Sequence, residues 1–586
     1  MKSFWSILFT AVLFFSIAPS GLAAEEPANP KQDGGIGDTE NFLDEEPGIT
    51  AKNAKVNQIL YPLFSTPSIT KKGTAMTVKV DTQGKTADNW SVKLTPTNHS
   101  PLSSEYELPV KNTAPGSSHW KKSVSIQDVT VEIPAEVPEQ LYDLEVSYTA
   151  DGKQITDRQP HSVKAVDEFK KDFTFFHVTD THVGSPRNLA DGISSVSIAR
   201  SKETGMWHPD KDKRWLYLQK TISEVNLAKP DFVVITGDLM FGQLNPLEYV
   251  YEYKETYEVL QKLNVPVFLV PGNHDYYAQD ATLTDGAKYW ENYFGPQYFS
   301  FDYGPYAHFI GYNSFDWNKI NRSGSGTVLV PTWGGQIRNE QLDWIKNDLA
   351  QNAEKSDDSQ IRGLFSHHNP LWRDRDLWPQ TDHDVQRYWE QYDEQHDPQK
   401  LTTLALGMKL GIKYDQQWHG EGAQELVDVM EQYEVDTSLH GHTHEDNITE
   451  QNGILYATTT AIELSGKPYA GFRNFTVQDG LLKDYIYEGE HSSIPIYENG
   501  DITTRTMSYE ASYEEANDGQ AESQQVTLTN RLKKPMTVSV PVYMKEGTYQ
   551  VSAGKTVQNY SADGKQYLEV KRTIPAGTTE TITIQK

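Results

Sequence analysis

The stretch Phe232-Val-Val-Ile-Thr-Gly-Asp238 places a carboxylate directly after a run of β-branched and aromatic residues. The run predicts a buried strand, and Gly237 allows a tight turn before Asp238. Comparable runs occur on either side of it, at residues 173–178 and 266–270, and apolar residues at helical spacing separate the runs. Alternating strands and helices predict βαβ units with a mostly parallel sheet. In such a sheet, the residues that follow the strands gather at one edge, where ligands bind.

Five short polar signatures follow predicted strands. In chain order they are Asp180-Thr181-His182, Gly237-Asp238, Gly272-Asn273-His274-Asp275, His367-His368-Asn369-Pro370 and Gly441-His442-Thr443-His444. Each signature alone is common in loops, but the ordered set supplies carboxylates, an amide oxygen and several imidazoles. Such groups suit two divalent cations that share one bridging ligand. The sequence therefore predicts a dinuclear metal centre.

Charge repulsion determines what such a centre needs. Two divalent cations about 3.5–4 Å apart require an anion between them, and the two oxygens of Asp238 make it the natural bridge. Asn273 offers a neutral oxygen, which binds a cation without adding charge. The Asp-x-His and His-x-His pairs have a spacing of two residues, so in extended backbone both side chains of a pair reach the same side.

In this order the signatures resemble those of the calcineurin-like metallophosphoesterase superfamily, of the purple acid phosphatase and phosphodiesterase type. The resemblance covers roughly residues 170–490 and implies an α/β fold with a four-layer α/β/β/α core. The ligands that it implies are Asp180, His182, Asp238 and His444 for one cation, and Asp238, Asn273, His368 and His442 for the other. A further stretch, residues 469–473, resembles the region of the family's last strands.

The resemblance also implies roles for other residues. His274 would stabilise developing charge or protonate the leaving group, and Asp275 would position it. In the family, the histidine of the fourth signature usually stands two residues before a proline. Because Pro370 follows, this favours His368 as the ligand, and His367 remains the alternative.

One departure from the family narrows the choice of metal. Purple acid phosphatases place a tyrosine three residues after the bridging aspartate, and this chain has Phe241 there. Without a phenolate ligand, a purple Fe(III) centre is not expected. Two divalent metal ions in a colourless site, Mn, Zn or Fe, are the expected cofactors, and the ligands alone do not decide among them.

The reaction that these observations predict is hydrolysis of a phosphate mono- or diester by attack of a metal-bound hydroxide. The alternative is a metal-stabilised cell-surface or carbohydrate-binding protein without catalysis. His274 favours the enzyme, because it is an imidazole beside the ligands that is not itself a ligand. Structural metal sites are closed and need no such group. A nucleotidase or sugar-phosphate hydrolase is less favoured, because the C-terminal segment is short and β-like. The leaving group and the oligomeric state stay open.

Composition changes along the chain predict five segments. Residues 1–24 combine Lys2, an apolar run and small residues, which is typical of a secretory signal peptide, with an uncleaved anchor as the alternative. The flanking segments show short alternating runs separated by turn residues, which is typical of β-sandwiches. The predicted division is 1–24 signal peptide, 25–54 disordered acidic leader, 55–167 N-terminal β-sandwich, 168–495 metallophosphoesterase catalytic domain and 496–586 C-terminal β-sandwich.

The bulk composition sets limits on partners. The 586 residues carry a formal net charge of −28, from 53 basic and 81 acidic residues. Such an acidic chain is not expected to grip nucleic acid or an anionic membrane. The chain has no cysteine, which excludes thiolate metal ligands. We expect a secreted protein with a phosphate-ester substrate and no stable membrane insertion after signal cleavage.

Overall fold

The computed structural model describes residues 54–183, 216–241, 246–276, 286–317, 334–355, 360–373, 418, 420–462, 470–488, 493–496 and 507–586. The predicted signal peptide and the acidic leader up to residue 53 lie outside these ranges. In the described ranges, no helix is both long and apolar enough to cross a bilayer. These residues form a mixed α/β structure with many strands and few helices, as the sequence predicted.

Nine strands between residues 59 and 166 form two sheets. Their bounds are β1 Ile59–Tyr61, β2 Ser68–Lys71, β3 Ala75–Asp81, β4 Ala87–Pro96, β5 Tyr106–Leu108, β6 Val110–Pro115, β7 Ile126–Glu132, β8 Leu141–Ala150 and β9 Lys153–Val166. The strand orders are β1-β3-β7-β6 and β2-β9-β8-β4-β5. Alternate residues, such as Val78 and Val80 of β3, are buried in a hydrophobic cluster to which both sheets contribute. This period of two matches the alternating sequence pattern.

Two six-stranded sheets form the centre of the molecule. The bounds of their strands are β10 Phe173–Val178, β11 Phe232–Thr236, β12 Val267–Val270, β13 Phe299–Tyr303, β14 Ala307–Gly311, β15 Ile361–Phe365, β16 Thr437–His440, β17 Asn447–Gln451, β18 Ile454–Thr458, β19 Gly471–Gln478, β20 Leu481–Lys483 and β21 Ile494–Pro495. One sheet has the order β12-β11-β10-β19-β20, with β21 paired to β19, and the other has the order β13-β14-β15-β16-β18-β17. β10, β11 and β12 are parallel, as are β14, β15, β16 and β18, so the strands that precede the signatures end at common edges.

Helices lie among and around the central strands. Their bounds are α1 Leu216–Ala228, α2 Pro246–Leu260, α3 Asn273–Tyr276, α4 Gly286–Tyr293, α5 Asn339–Ala353 and α6 Ala423–Gln432, with a 3-10 turn over Pro370–Arg373. Aromatic residues of both central sheets, among them Phe175 and Phe309, share one cluster. A second cluster joins the first sheet to α1, α2 and α4, and a third joins the second sheet to α5 and α6.

Seven strands between residues 509 and 585 form two further sheets. Their bounds are β22 Tyr509–Tyr513, β23 Ser523–Asn530, β24 Met536–Lys545, β25 Gln550–Val551, β26 Lys555–Ala562, β27 Lys565–Ile574 and β28 Thr579–Gln585. The strand orders are β22-β23-β28-β25 and β24-β27-β26. Their buried residues, such as Val526 and Val540, belong to the same hydrophobic cluster as Leu218 and Val225 of α1. The C-terminal sheets and the first central sheet are therefore joined by continuous apolar packing.

Candidate metal centre

The predicted site residues all follow the carboxyl ends of parallel strands. Asp180 and His182 follow β10, Asp238 follows β11, Asn273, His274 and Asp275 follow β12, His368 follows β15, and His442 and His444 follow β16. Four groups of three side chains have ligand atoms within 4.8 Å of one another: His367, His368 and His442; Asp180, His182 and His444; His182, Asp238 and His274; and Asp180, Asp238 and His367. Residues from both central sheets therefore converge on one place, 262 positions apart in the case of Asp180 and His442.

Strained backbone marks the turns that carry these side chains. Five of the seven predicted ligands have a positive φ: Asp180 (52°), His182 (41°), Asp238 (50°), His442 (73°) and His444 (57°). For a residue with a Cβ, this conformation costs on the order of 1–3 kcal/mol and persists only where the surroundings enforce it. Backbone hydrogen bonds join the turns, because Asp180 N–H donates to the Gly237 carbonyl at 3.1 Å and Gly441 N–H donates to the His367 carbonyl at 3.0 Å.

Glycines allow the turns to approach one another. A Cβ on Gly272 would lie 2.2 Å from Oδ1 of Asp238, and a Cβ on Gly441 would lie 1.9 Å from Oγ1 of Thr179. Gly237 has a φ of 84° and abuts the backbone of Gly272. A side chain at any of the three positions would separate the strand ends from one another.

Two buried carboxylates lie at the centre of the cluster. Oδ1 of Asp180 is 3.1 Å from Nε2 of His444 and 3.6 Å from Nε2 of His182. Oδ2 of Asp238 is 3.0 Å from Nε2 of His367 and 3.8 Å from Nε2 of His182. Asp238 therefore stands between imidazoles that come from both central sheets, as a bridging ligand must.

Unsatisfied atoms show that the cluster fits a cation. Oδ1 of Asp180, Oδ1 of Asn273 and Nε2 of His367 are buried, and none has a hydrogen-bond partner of acceptable geometry among the described residues. Buried polar atoms are normally satisfied, and lone pairs of two oxygens and one nitrogen suit a borderline divalent cation such as Mn or Zn. The donor set of the centre therefore fits the metal that the sequence predicted.

The pKa values of these groups reflect the pairing of carboxylates with imidazoles. Burial alone would raise the pKa of Asp180, but His444 and His367 hold it well below its ordinary value. Burial alone would likewise raise the pKa of Asp238, and His367 and His274 hold it low. Burial alone would lower the pKa of His367, yet the carboxylates of Asp238 and Asp180 raise it to about 9. The position between the two carboxylates therefore favours a positive charge.

His367 and His368 both lie in this region, although the sequence favoured His368. Nδ1 of His367 donates to the carbonyl of Thr236 at 2.6 Å, and its Nε2 faces both carboxylates. Nδ1 of His368 is 2.9 Å from Oγ of Ser314, and its ring centroid is 4.4 Å from that of His442. The contacts of His367 are those of a ligand whose second nitrogen is fixed by a backbone carbonyl.

His274 lies at the rim of the cluster. Its side chain is 18% exposed, and its Nε2 is 3.9 Å from Oδ2 of Asp238. Its backbone N–H donates to Oδ1 of Asp238 at 2.9 Å, and its Nδ1 donates to the Phe241 carbonyl. Burial lowers the pKa of His274 to about 4, so the ring is neutral near pH 7 and Nε2 carries a lone pair.

The carboxylate of Asp275 holds the backbone of two neighbouring turns. Its carboxylate accepts hydrogen bonds from the N–H groups of Gly272 at 2.7 Å, Leu239 at 2.9 Å and Met240 at 3.3 Å. Burial, and next the charge of Asp238, raises the pKa of Asp275 to about 7. Asp275 thus joins the turn after β11 to the turn after β12. The ring of His274 contacts the carbonyl of Phe241, and the role of Asp275 in positioning that ring stays a prediction.

Sequence patterns gave little signal for the groups that support the ligands. Thr179 Oγ1 donates to Oδ2 of Asp180 at 2.7 Å, and Ser314 Oγ accepts the backbone N–H of His368 at 2.9 Å. Arg473, buried on β19, donates to Asp446 at 2.7 Å. Arg473 belonged to the stretch that resembled the family's last strands, and that resemblance was the only available signal. Threonine and serine after a strand are too common to have been singled out.

A cavity of about 950 Å³ lies among the N-terminal, central and C-terminal sheets. Its lining includes Lys164, Lys229, Tyr303, Arg473 and Lys571. The residues that line it, all in the described part of the chain, include none of the nine predicted site residues. The candidate site is therefore identified by its convergent ligand atoms and not by the volume of a cavity.

Comparison with known proteins agrees with this geometry. Residues 173–446 match the family model described as calcineurin-like phosphoesterase, and this part of the chain belongs to that family. The match supports the prediction of a metal-dependent phosphoric ester hydrolase.

Two curated relatives are phosphodiesterases of this superfamily. A probable cyclic nucleotide phosphodiesterase of Coxiella burnetii is 25% identical over 28% of this chain and 55% of its own length. A probable glycerophosphodiester phosphodiesterase, GpdQ, of Arcobacter nitrofigilis is 32% identical over 17% of this chain and 28% of its own length. The chain thus spans about half or less of the relatives that it matches.

Similarity to solved structures is low. The protein GAP50 of Plasmodium, described as the anchor in the inner membrane complex, is 13% identical, and the match covers 52% of this chain and 81% of that one. The TM-score of this match is 0.29.

Proposed function

We propose that the protein is a secreted, dinuclear-metal phosphoesterase that hydrolyses phosphate mono- or diesters. The observation that carries the proposal is the convergence of two buried carboxylates and imidazoles from both central sheets on a space of a few ångströms. The phosphoesterase family of residues 173–446 supports it. The secretory signal pattern of residues 1–24 motivates the location.

The family resemblance implies how the side chains would be divided between two cations. Asp180, His182, Asp238 and His444 would hold one of them, and Asp238, Asn273, His367 and His442 the other. The second set includes His367 where the sequence favoured His368, because Nε2 of His367 lies 3.0 Å from the shared carboxylate of Asp238. The ring of His368 would then pack against the ring of His442 and help to hold that ligand of the second cation in place.

When bound, two divalent cations supply positive charge for the phosphate oxygens and lower the pKa of a coordinated water. The residues of the chain then orient the substrate and protonate the leaving group. His274 is the partly exposed imidazole that faces Asp238, and a phosphate ester beside it brings negative charge that favours its protonated form. Because its Nδ1 is held by the Phe241 carbonyl, the proton available to a leaving oxygen is on Nε2.

The proposal extends to the architecture around the site. The hydrophobic clusters on both faces of each central sheet support a four-layer α/β/β/α catalytic core. The paired sheets at residues 59–166 and 509–585 support flanking β-sandwiches. They would serve as platforms that pack against the core.

Paired substrates test the activity. The purified full chain, loaded with Mn²⁺ or Zn²⁺, should hydrolyse nitrophenyl phosphate, bis-nitrophenyl phosphate or both, and a chelator should abolish turnover. Metal analysis of the same sample should give two ions per chain. No turnover of either compound by the loaded chain would favour the metal-stabilised binding protein instead.

The variant His274→Ala separates catalysis from metal binding. We expect kcat to fall by about 100-fold or more, with metal content unchanged, because the ring protonates the leaving group and is not a ligand. His119→Ala is the matched control, since His119 is also an imidazole paired with a backbone carbonyl, that of Tyr298 at 2.7 Å. Unchanged turnover in His274→Ala would remove its catalytic role.

A further inference from the structure

Arg473 is a buried cation near the turns that carry the predicted metal ligands. It lies on β19 opposite His177 of β10, and its side chain is 0% exposed. Nη2 donates to Oδ1 of Asp446 at 2.7 Å, Nε donates to Oγ1 of Thr459 at 3.2 Å, and Nη1 donates to the Tyr485 carbonyl at 2.6 Å. Burying a guanidinium is costly unless its charge is paired and its N–H groups are bonded, and here all three nitrogens have partners.

One branch of these hydrogen bonds leads to the turn that carries His442 and His444. Asp446 follows His444 by two residues, and its Oδ1 also accepts the backbone N–H of Thr460 at 3.1 Å. Thr460 Oγ1 in turn donates to the His444 carbonyl at 3.0 Å. The other oxygen of Asp446 accepts the Ser493 N–H at 2.6 Å. Through its hydrogen bond to Asp446, which in turn bonds Thr460, Arg473 holds the backbone of His444 in place.

A second branch leads to the opposite side of the centre. Thr459 Oγ1 accepts from Arg473 and is 2.9 Å from Nδ1 of His177. Nε2 of His177 is 2.8 Å from Oγ1 of Thr236, whose carbonyl accepts Nδ1–H of His367 at 2.6 Å. Burial, and next the charge of Arg473, lowers the pKa of His177 to about 3, so this ring relays hydrogen bonds in its neutral form. The two branches end at residues that stand on either side of the carboxylates.

We infer that Arg473 is a positioning residue for the metal centre, which it prearranges by holding the His442–His444 turn and the end of β11 in fixed relation. The inference rests on the proposed function. Lysine cannot replace arginine here, because an ammonium group on a flexible stem lacks the rigid fork that meets Asp446, Thr459 and the Tyr485 carbonyl together. Loss of the forked guanidinium would leave every metal ligand in the chain but hold the ligands less firmly in position.

Metal titration of the full chain tests this role. After chelator treatment and dialysis, Arg473→Lys should bind Mn²⁺ about 10-fold more weakly than the wild type by calorimetry, the usual effect of disturbing groups behind the ligands. Arg362→Lys is the matched control. Arg362 is also buried, but it donates hydrogen bonds to Asn352 at 3.1 Å and to the Tyr433 carbonyl at 3.4 Å. It stands at the start of β15, whereas His367 follows the end of that strand. Its Mn²⁺ affinity should stay within about twofold of the wild type.

A milder variant keeps the test valid if Arg473→Lys fails to fold. Thr460→Val removes the hydroxyl that donates to the His444 carbonyl and leaves the Arg473–Asp446 ion pair intact. We expect Mn²⁺ affinity to fall about fivefold, the effect of losing one hydrogen bond. Thr437→Val is its control, because Thr437 is equally buried and its hydroxyl donates to the Leu455 carbonyl at 3.0 Å, at the start of β16.

Rescue by metal distinguishes positioning from general damage. The turnover of Arg473→Lys should recover when Mn²⁺ is raised about tenfold, with kcat close to that of the wild type. Equal loss of affinity in Arg473→Lys and Arg362→Lys, or wild-type affinity in both Arg473→Lys and Thr460→Val, would overturn the inference. A wild-type chain that bound no Mn²⁺ would overturn the proposed metal centre itself, so the two failures are distinguishable.

Discussion

At the residue scale, two adjacent histidines differ in what their Nδ1 atoms contact. A carbonyl oxygen can only accept, so the 2.6 Å contact with Thr236 requires the proton of His367 to be on Nδ1. A cation that displaces the second proton of the ring then finds a lone pair on Nε2, as a metal ligand needs. His368 faces the hydroxyl of Ser314, which both donates and accepts, so its tautomer is not fixed in this way.

Alanine variants of the pair should therefore differ in metal content. His367→Ala should lower the content from two ions per chain to one, because the second set loses a ligand beside Asp238. His368→Ala should keep two ions with weaker affinity, since it removes a ring that packs on His442. Elemental analysis after dialysis checks this, with His119→Ala as control. Two ions in His367→Ala together with one ion in His368→Ala would reverse the assignment.

Single residues also show what the sequence could and could not predict about the site. Strand-end signatures were sufficient to predict that Asp180, Asp238 and the histidines near them lie close together, because these residues directly follow the strands. The choice between His367 and His368 depends on how the chain turns after β15, which motif spacing does not encode. The support that Asp275 gives to three backbone amides depends on two turns meeting, which is a property of the folded chain.

At the element scale, an imidazole joins β13, β14 and α5. Nδ1 of His308 on β14 lies 2.8 Å from Oδ1 of Asp302 on β13, and Nε2 lies 2.9 Å from Oδ2 of Asp348 on α5. Burial alone would lower the pKa of His308, but hydrogen bonds to Asp302 and Asp348 raise it to about 9. The ring is therefore an imidazolium that holds a helix to the edge of a sheet.

This raised pKa predicts a pH dependence of stability. The folded-state pKa of about 9 lies above the ordinary value of 6.5, so the contribution of His308 is fully present below pH 6.5 and is lost as pH rises through 9. The loss is at most about 3 kcal/mol, and less because Asp302 is exposed. In chelator-treated protein, Tm should fall across this window, and His308→Gln should flatten the fall. An identical pH profile in both proteins would contradict the prediction.

Elements were predicted better than their pairings. Runs such as residues 173–178 and 232–236 are strands in the structure, because a fully buried parallel strand reads as a continuous apolar run. The pairing of β10 with β19 joins residues about 300 positions apart, such as Phe175 and Phe475. No local pattern specifies such a pairing, since it depends on which edge remains open after the βαβ units form.

At the scale of the whole molecule, one hydrophobic cluster joins the first central sheet and its helices to the C-terminal sheets. Leu218, Ile222 and Val225 of α1 share it with buried residues of β23, β24, β27 and β28. Polar contacts reinforce it, because Glu224 accepts the Ser508 N–H at 2.6 Å and its carbonyl accepts from the Tyr509 hydroxyl at 2.9 Å. Among the residues that the structure describes, the N-terminal segment 54–166 has a separate cluster and contributes to this one only Phe64 and the partly buried Ala54.

Two truncations should therefore behave differently. Removal of residues 507–586 exposes the apolar face of α1, so the remaining chain should aggregate or lose near-ultraviolet circular dichroism. Removal of residues 54–166 leaves the central clusters nearly complete, and the remaining chain should stay soluble and bind Mn²⁺. Soluble yield and metal titration measure both outcomes. A well-folded chain without residues 507–586 would show that the shared cluster is dispensable.

The order of the signatures along the chain has a consequence for biosynthesis. A nascent polypeptide that has emerged only as far as residue 440 already carries Asp180, Asp238 and Asn273, yet it lacks the last two imidazoles and the β19 arginine behind them. Only an incomplete chelate, with correspondingly weak affinity, exists at that stage. Metal loading of the proposed centre would therefore be a late event, and the ion acquired would reflect the compartment in which the finished chain folds.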